Sequence, residues 1–228
     1  MKTKELILKT GINLENIVIE PDTATSISYG FDANPDEFID FAKKDVESDD
    51  KRGFVNALSN SKRAIDCQIN KILCGIGVRA KKESLPKKLI ILKDLGIVAP
   101  RIINKLIKKR NNLEHRYYCP ERDEAEDAVD IALLFIEASN RKLNEFMDAF
   151  LIGNKGNMHY EDQTFKTCIY ITFEYKNKEF ELTGYSDGAI IGETKVSSAN
   201  KDYLDLLKLA ISAEFQKTIT ISGKEFFN

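Results

Sequence analysis

The chain has 228 residues, 43% of them hydrophobic and 31% charged, a balance that excludes a disordered polyelectrolyte and allows one large domain or two small ones. No apolar run nears the ~20 residues that cross a bilayer, and the opening MKTKELILKT is no secretory signal, so a cytoplasmic protein away from membranes is expected. The formal net charge of −2 hides a basic block: from Arg79 to Arg116, twelve Lys or Arg stand against three acids.

Taken in chain order, residues 1–33 are ambiguous, with strand-like character at 17–19 and at 23–31, where Ile27, Tyr29 and Phe31 alternate. Asn34, Pro35 and Glu37 then form a strong helix start, and Phe38, Phe41 and Val46 follow at helical spacing. A second helix over about 51–77 carries Phe54, Leu58, Ile65, Ile69, Ile72 and Ile76 on one stripe, and Gly75 and Gly77 end it. Cys67 and Cys74 lie on this helix as reduced core cysteines. None of the four cysteines has C-x-x-C spacing, so neither zinc nor disulfides are suggested. Ser84 caps a short helix through Leu85, Leu89, Leu92 and Leu95, stopped by Gly96.

Pro100 opens a helix that runs into RNNLEH. Pro120 opens what reads as the longest one, with acids in its first turn and a stripe from Ala125 through Leu143 and Phe146 to Phe150 over about 30 residues. At Gly153–Asn157 the helical period gives way to alternation: Phe165 to Tyr175, a turn at 176–178, a strand with Phe180 and Leu182, and a third strand within 184–196. Ser198 caps a helix with Leu204, Leu207 and Ile211, and a final strand uses Ile219 and Ile221. The expected fold is therefore α+β. A bundle of four to five helices over 34–152 precedes a small unit with a three- or four-stranded antiparallel sheet over 157–228; 1–33 is an N-terminal segment whose possible strands are candidates to join that sheet.

The chemistry concentrates in Lys108-Lys-Arg-Asn-Asn-Leu-Glu-His-Arg-Tyr-Tyr-Cys-Pro120. On a helical wheel Ile103, Leu106, Ile107, Leu113 and Tyr117 make an apolar face, and Arg110 falls in the middle of it. A guanidinium there needs an anionic partner. Glu114, four residues on, is the structural candidate, and a phosphate is the functional one. Asn111 and His115 share the adjoining side. An imidazole moves protons near neutral pH, and a planar Arg grips phosphate with two bonds while offsetting developing charge. RNA brings its own nucleophile, the 2′-hydroxyl, so no metal or cofactor is expected. Lys105, Lys108, Lys109 and Arg116 of the basic block are the candidate RNA contacts.

These residues resemble the HEPN family, whose signature is R-x4-H with a polar residue directly after the Arg, near the end of one helix and before a last long helix. The stretch is also similar to the longer R-x4-H-x-Y form found in HEPN toxins, with Tyr117 as the Tyr. The resemblance covers about residues 34–152 and implies a metal-independent endoribonuclease with Arg110, Asn111 and His115 in a composite site between two copies of the chain. It also implies a toxin–antitoxin or phage-defence setting, with an antitoxin or regulatory protein as partner and Tyr117 as a candidate for regulatory modification. For Tyr117 itself an ordinary core aromatic is the stronger expectation. Two other classes stay open: a non-catalytic HEPN module for RNA or nucleotide binding or dimerisation, and a sensor or adaptor subunit.

Other patterns carry less. Gly75-Ile-Gly77 follows a helix and lacks a third glycine, so it is no dinucleotide loop. His159 with Glu161 and Asp162 reads as a loop, and Asp123, Glu124, Glu126, Asp127 and Asp130 read as helix-end acids.

Overall fold

The computed structural model describes residues 3–80, 82–97, 100–212 and 217–223, and within these the side chains of residues 100–102, 110 and 114 lie outside the description. The fold is mixed α+β and has two units. One contains residues up to Ile27 together with those from Asn144 onward, and the other is Ser28–Leu143.

The helical unit holds α2 (Pro35–Glu47), α3 (Lys51–Gly75), α4 (Leu85–Asp94), α5 (Pro100–Arg116) and most of α6 (Arg122–Asn144). The start of α2 is as its residues dictate: the Asn34 N–H donates to Glu37 Oε2 at 2.8 Å, with Pro35 in the first turn. Asp49 turns the chain with φ +51, and Asp50 caps α3 by accepting from the Gly53 N–H at 2.7 Å. The α3 stripe of Leu58, Ile65, Ile69 and Ile72 is fully buried. Gln68 lies within that stripe and donates to Ser139 Oγ at 2.8 Å and Asn140 Oδ1 at 2.9 Å, which ties α3 to α6. Cys67 and Cys74, expected in the core, are only half-buried.

The α2–α3 corner is tight. A Cβ on Gly53 would run into Ser48 Oγ and the Asp45 carbonyl oxygen. Gly53→Ala should therefore destabilise the protein by about 1–3 kcal/mol, although the same change in an open helix gains about 1 kcal/mol. A lowered thermal midpoint is the expected result; a raised one would mean that the corner yields.

The second unit is a six-stranded antiparallel sheet in the order β5-β4-β3-β2-β1-β6. Its strands are β1 (Ile17–Thr25), β2 (Phe146–Gly153), β3 (Cys168–Glu174), β4 (Glu179–Ser186), β5 (Ala189–Ser197) and β6 (Ile219–Ile221), joined by α1 (Thr3–Thr10) and α7 (Tyr203–Ser212). Helix α1 lies against β4 and β5, and α7 against β2. At Gly184 the approach is close: Leu6 Cδ1 sits 2.7 Å from where a Cβ would stand. Phe180 packs its ring 5.0 Å from Phe173 and 5.5 Å from Tyr203 of α7. Val18, Leu151, Met158 and Cys168 form a second buried cluster. It involves the 157–167 hairpin, closed by Lys166 N–H to Met158 O at 2.7 Å and Thr167 N–H to Asn157 O at 3.1 Å.

Several expectations need correction. The last helix of the bundle ends at Asn144, and α3 with 25 residues is longer than α6 with 23. Residues 146–153 form a strand because Phe146, Met147, Phe150, Leu151 and Ile152 are all buried. A strand covered on both faces shows no two-residue alternation, and its spacing imitates a helix stripe. The sheet has six strands, not three or four, since β1 and β2 join it. Residues 3–10 form a helix, and Ile27, Tyr29 and Phe31 fall outside any strand. The units divide at Ile27/Ser28 and Leu143/Asn144, so the Gly153–Asn157 break lies inside the sheet unit, and residues 17–25 are part of it.

Candidate functional site

Helix α5 buries Ile103 and Leu106, half-buries Ile107 and Leu113, and exposes Lys105, Lys108, Asn111, His115 and Arg116. Lys105, Lys108, Asn111 and His115 recur at intervals of three to four residues and Arg116 follows directly, so the five form one exposed, basic ridge that ends on the last turn. Asn111 and His115, four residues apart on α5, are both exposed. Of Arg110, only its backbone place in α5 is described, and the anticipated Arg110–Glu114 pair lies outside the described side chains.

Lys109 is turned away from the ridge. Its Nζ is 3.5 Å from Glu124 Oε1 and 3.5 Å from Asp127 Oδ2 of α6. Beside it a cavity of about 380 Å³ opens between α5 and α6, bordered by Lys105, Leu106, Asp127 and Ile131. Glu124 also accepts from the Tyr118 hydroxyl and, at 3.4 Å, from the Glu121 N–H. One carboxylate therefore ties the end of α5, the connecting turn and the start of α6. Its tie to Lys109 was not legible from spacing; the only signal was an acidic first turn following a basic helix. The neighbouring acid Glu126 is held by Arg122 at 2.8 Å, and Arg122 also reaches Asp49 at 2.8 Å.

Tyr117 departs from expectation. It follows the end of α5, adopts φ +54, and is 92% exposed, so it is no core aromatic. A helical wheel puts it on the apolar face, but the helix stops one residue earlier and the left-handed backbone swings it out.

The Tyr118 hydroxyl, followed by the Glu121 N–H and Lys109, holds the Glu124 carboxyl below the usual glutamate value, against its partial burial. A depressed carboxyl contributes stability above its unfolded value, and that contribution disappears as pH falls through the folded value. Glu124→Gln should accordingly cost less than about 1 kcal/mol at neutral pH, because the group is solvent-screened. The gap from wild type should narrow as pH falls below the ordinary glutamate range; urea midpoints at neutral and at acidic pH check it.

In the sheet unit, His159 Nε2 lies 3.2 Å from Glu20 Oε1, and its Nδ1 is sealed from solvent without a partner among the described residues. With one nitrogen engaged and the other sealed, this imidazole is poorly placed to take a proton from a substrate. Glu161 and Asp162 are exposed on the hairpin tip, where Asp162 accepts from Thr164. Burial pushes the Cys168 thiol up to about 12 and the Cys67 thiol upward, so both stay protonated at neutral pH. Among the described residues no helix is long and apolar enough to cross a membrane.

The chain matches no protein-family model, no curated protein and no solved structure.

Proposed function

We propose that the chain is a metal-independent endoribonuclease of HEPN type, acting as a homodimer on RNA in the cytoplasm. The observation that carries this reading is the placement of R-x4-H on the last turns of α5, with Asn111 and His115 exposed on a basic ridge and a long helix following. His115 takes the proton of a ribose 2′-hydroxyl, whose oxygen attacks the adjacent phosphorus. The P–O5′ bond breaks, and the leaving oxygen receives a proton from the imidazolium of the second copy. The products are a 2′,3′-cyclic phosphate and a 5′-hydroxyl. Arg110 grips the phosphate and offsets its developing charge, and Asn111 orients the phosphate or the imidazole. Lys105, Lys108 and Arg116 extend the electrostatic footprint. Lys109, held by Glu124 and Asp127, contributes less than its sequence position suggested.

The setting that the family resemblance implies is a toxin–antitoxin or phage-defence effector with a regulatory partner. The alternative is a non-catalytic HEPN binding or adaptor module, favoured by the tying of Lys109 into a structural ion pair. Purified protein incubated with total RNA in EDTA, beside a His115→Ala control, separates the two: cleavage by wild type alone supports the nuclease, and an inert wild type supports the module.

A further inference from the structure

We propose that Tyr117 is the platform on which an unpaired RNA base stacks beside the cleaved phosphate; this rests on the reading of α5 as an RNA-cleaving helix. The ring is 92% exposed, and its backbone sits at φ +54. A left-handed conformation is unfavourable for a residue with a side chain, and glycine is the usual occupant just after a helix. An aromatic side chain at this place is thus strained and also leaves a large apolar surface in water. Among the described residues no ring–ring or cation–ring contact involves Tyr117. Its neighbour Tyr118 behaves oppositely: it turns back, with its hydroxyl on Glu124 and its N–H 3.4 Å from Asn112 O. Only Tyr117 projects.

The surroundings select the occupant. Tyr117 stands two residues after His115 and one after Arg116, at the end of the ridge that exposes Lys105, Lys108 and Asn111. Cations that follow a phosphate backbone, ending in a free aromatic ring, are the combination that holds single-stranded nucleic acid. In a duplex the base faces are already stacked, so the ring discriminates for unpaired RNA at the cut site. A protein contact would call for an apolar surround, whereas the ring is preceded by the exposed, polar His115 and Arg116 and followed by Tyr118, whose hydroxyl is engaged by Glu124.

The test uses the full chain in a His115→Ala background, which keeps RNA intact, with a fluorescently labelled oligoadenylate as single strand and as duplex. Tyr117→Ala and Tyr117→Gly should weaken single-strand binding roughly 5- to 150-fold, the range of one stacked base. Tyr117→Phe should stay within about twofold, and duplex binding should not change. Tyr117→Gly should at the same time raise the melting temperature, because glycine relieves the positive φ. Gain of stability with loss of binding is a pairing that damage to the fold does not produce. Unchanged binding by the Ala and Gly variants, equal losses on duplex and single strand, or no RNA binding at all would each overturn the proposal. So would a lower molecular mass for Tyr117→Ala, which would assign the ring to a contact between copies. The two readings fail separately: Tyr117-dependent binding without cleavage by wild type sinks the nuclease alone, and cleavage with Tyr117-independent binding sinks the platform alone.

Discussion

His115→Ala should slow RNA cleavage by on the order of 10²–10⁴, the usual worth of a positioned acid–base group, in EDTA and in magnesium alike. Its melting temperature should barely move, because the imidazole is exposed on the last turn of α5 and surface substitutions stay within about 0.5 kcal/mol. Arg110→Ala should lose a comparable factor, since it removes the group that offsets charge on the phosphate. Arg110→Lys should not restore activity, because a point charge cannot reproduce a two-pronged grip. If Arg110 serves only to pair with Glu114, the pattern reverses: Arg110→Ala lowers stability and Arg110→Leu raises it. Melting temperature and cleavage measured on the same variants distinguish these cases. The ends of the fragments should be a 2′,3′-cyclic phosphate, or its hydrolysis product, and a 5′-hydroxyl. Wild type that stays inert on every RNA pool, after separation from any copurifying partner, would sink the nuclease reading.

Phe150→Ala should destabilise the protein by about 3–5 kcal/mol and Leu151→Ala by about 2–5 kcal/mol. Both residues lie in the inner strand β2, where Phe150 is 0% and Leu151 3% exposed. Consecutive residues of a strand point to opposite faces, so two large effects side by side require that both faces of the sheet be covered. Leu134, 67% exposed on α6, is the control and should change by less than about 0.5 kcal/mol on truncation. Urea unfolding of the three variants provides the comparison. A mild effect at Leu151 would contradict the sheet as described.

That strand also marks the limit of what the chain discloses about itself. Features whose cause is local were legible: the Asn34–Pro35 start of α2, the stop of α4 near Gly96, the Pro100 opening of α5, and the turn that carries Lys178 at φ +56 between β3 and β4. Each depends on residues within a few positions of one another. Strand β2 was not legible, because burial on both faces erases the alternation that identifies strands. Helix α1 escaped because eight residues are too few to establish a helical period. The candidate site divides in the same way. The shared side of Asn111 and His115 follows from helix geometry alone. The diversion of Lys109 toward Glu124 and Asp127, the link between Glu20 and His159 across 139 positions, and the outward swing of Tyr117 depend on pairings and a backbone angle that periodicity does not encode.

The pairing of β1 with β2, in which Thr25 faces Phe146, has a consequence for synthesis. About 120 residues separate the two strands, and nearly all of them belong to the helical unit. At ribosomal rates of roughly 5–20 residues per second, β1 waits on the order of 6–24 s before its neighbour has been made. The helical unit, whose contacts are closer in sequence, has time to close first. Until β2 arrives, Ile17, Val18 and Ile19 are an apolar edge without a mate, the kind of segment that chaperones hold and that aggregates when they do not. Slower elongation through residues 28–143 would lengthen that exposure, and yield in the cell should depend on it more than equilibrium stability would suggest.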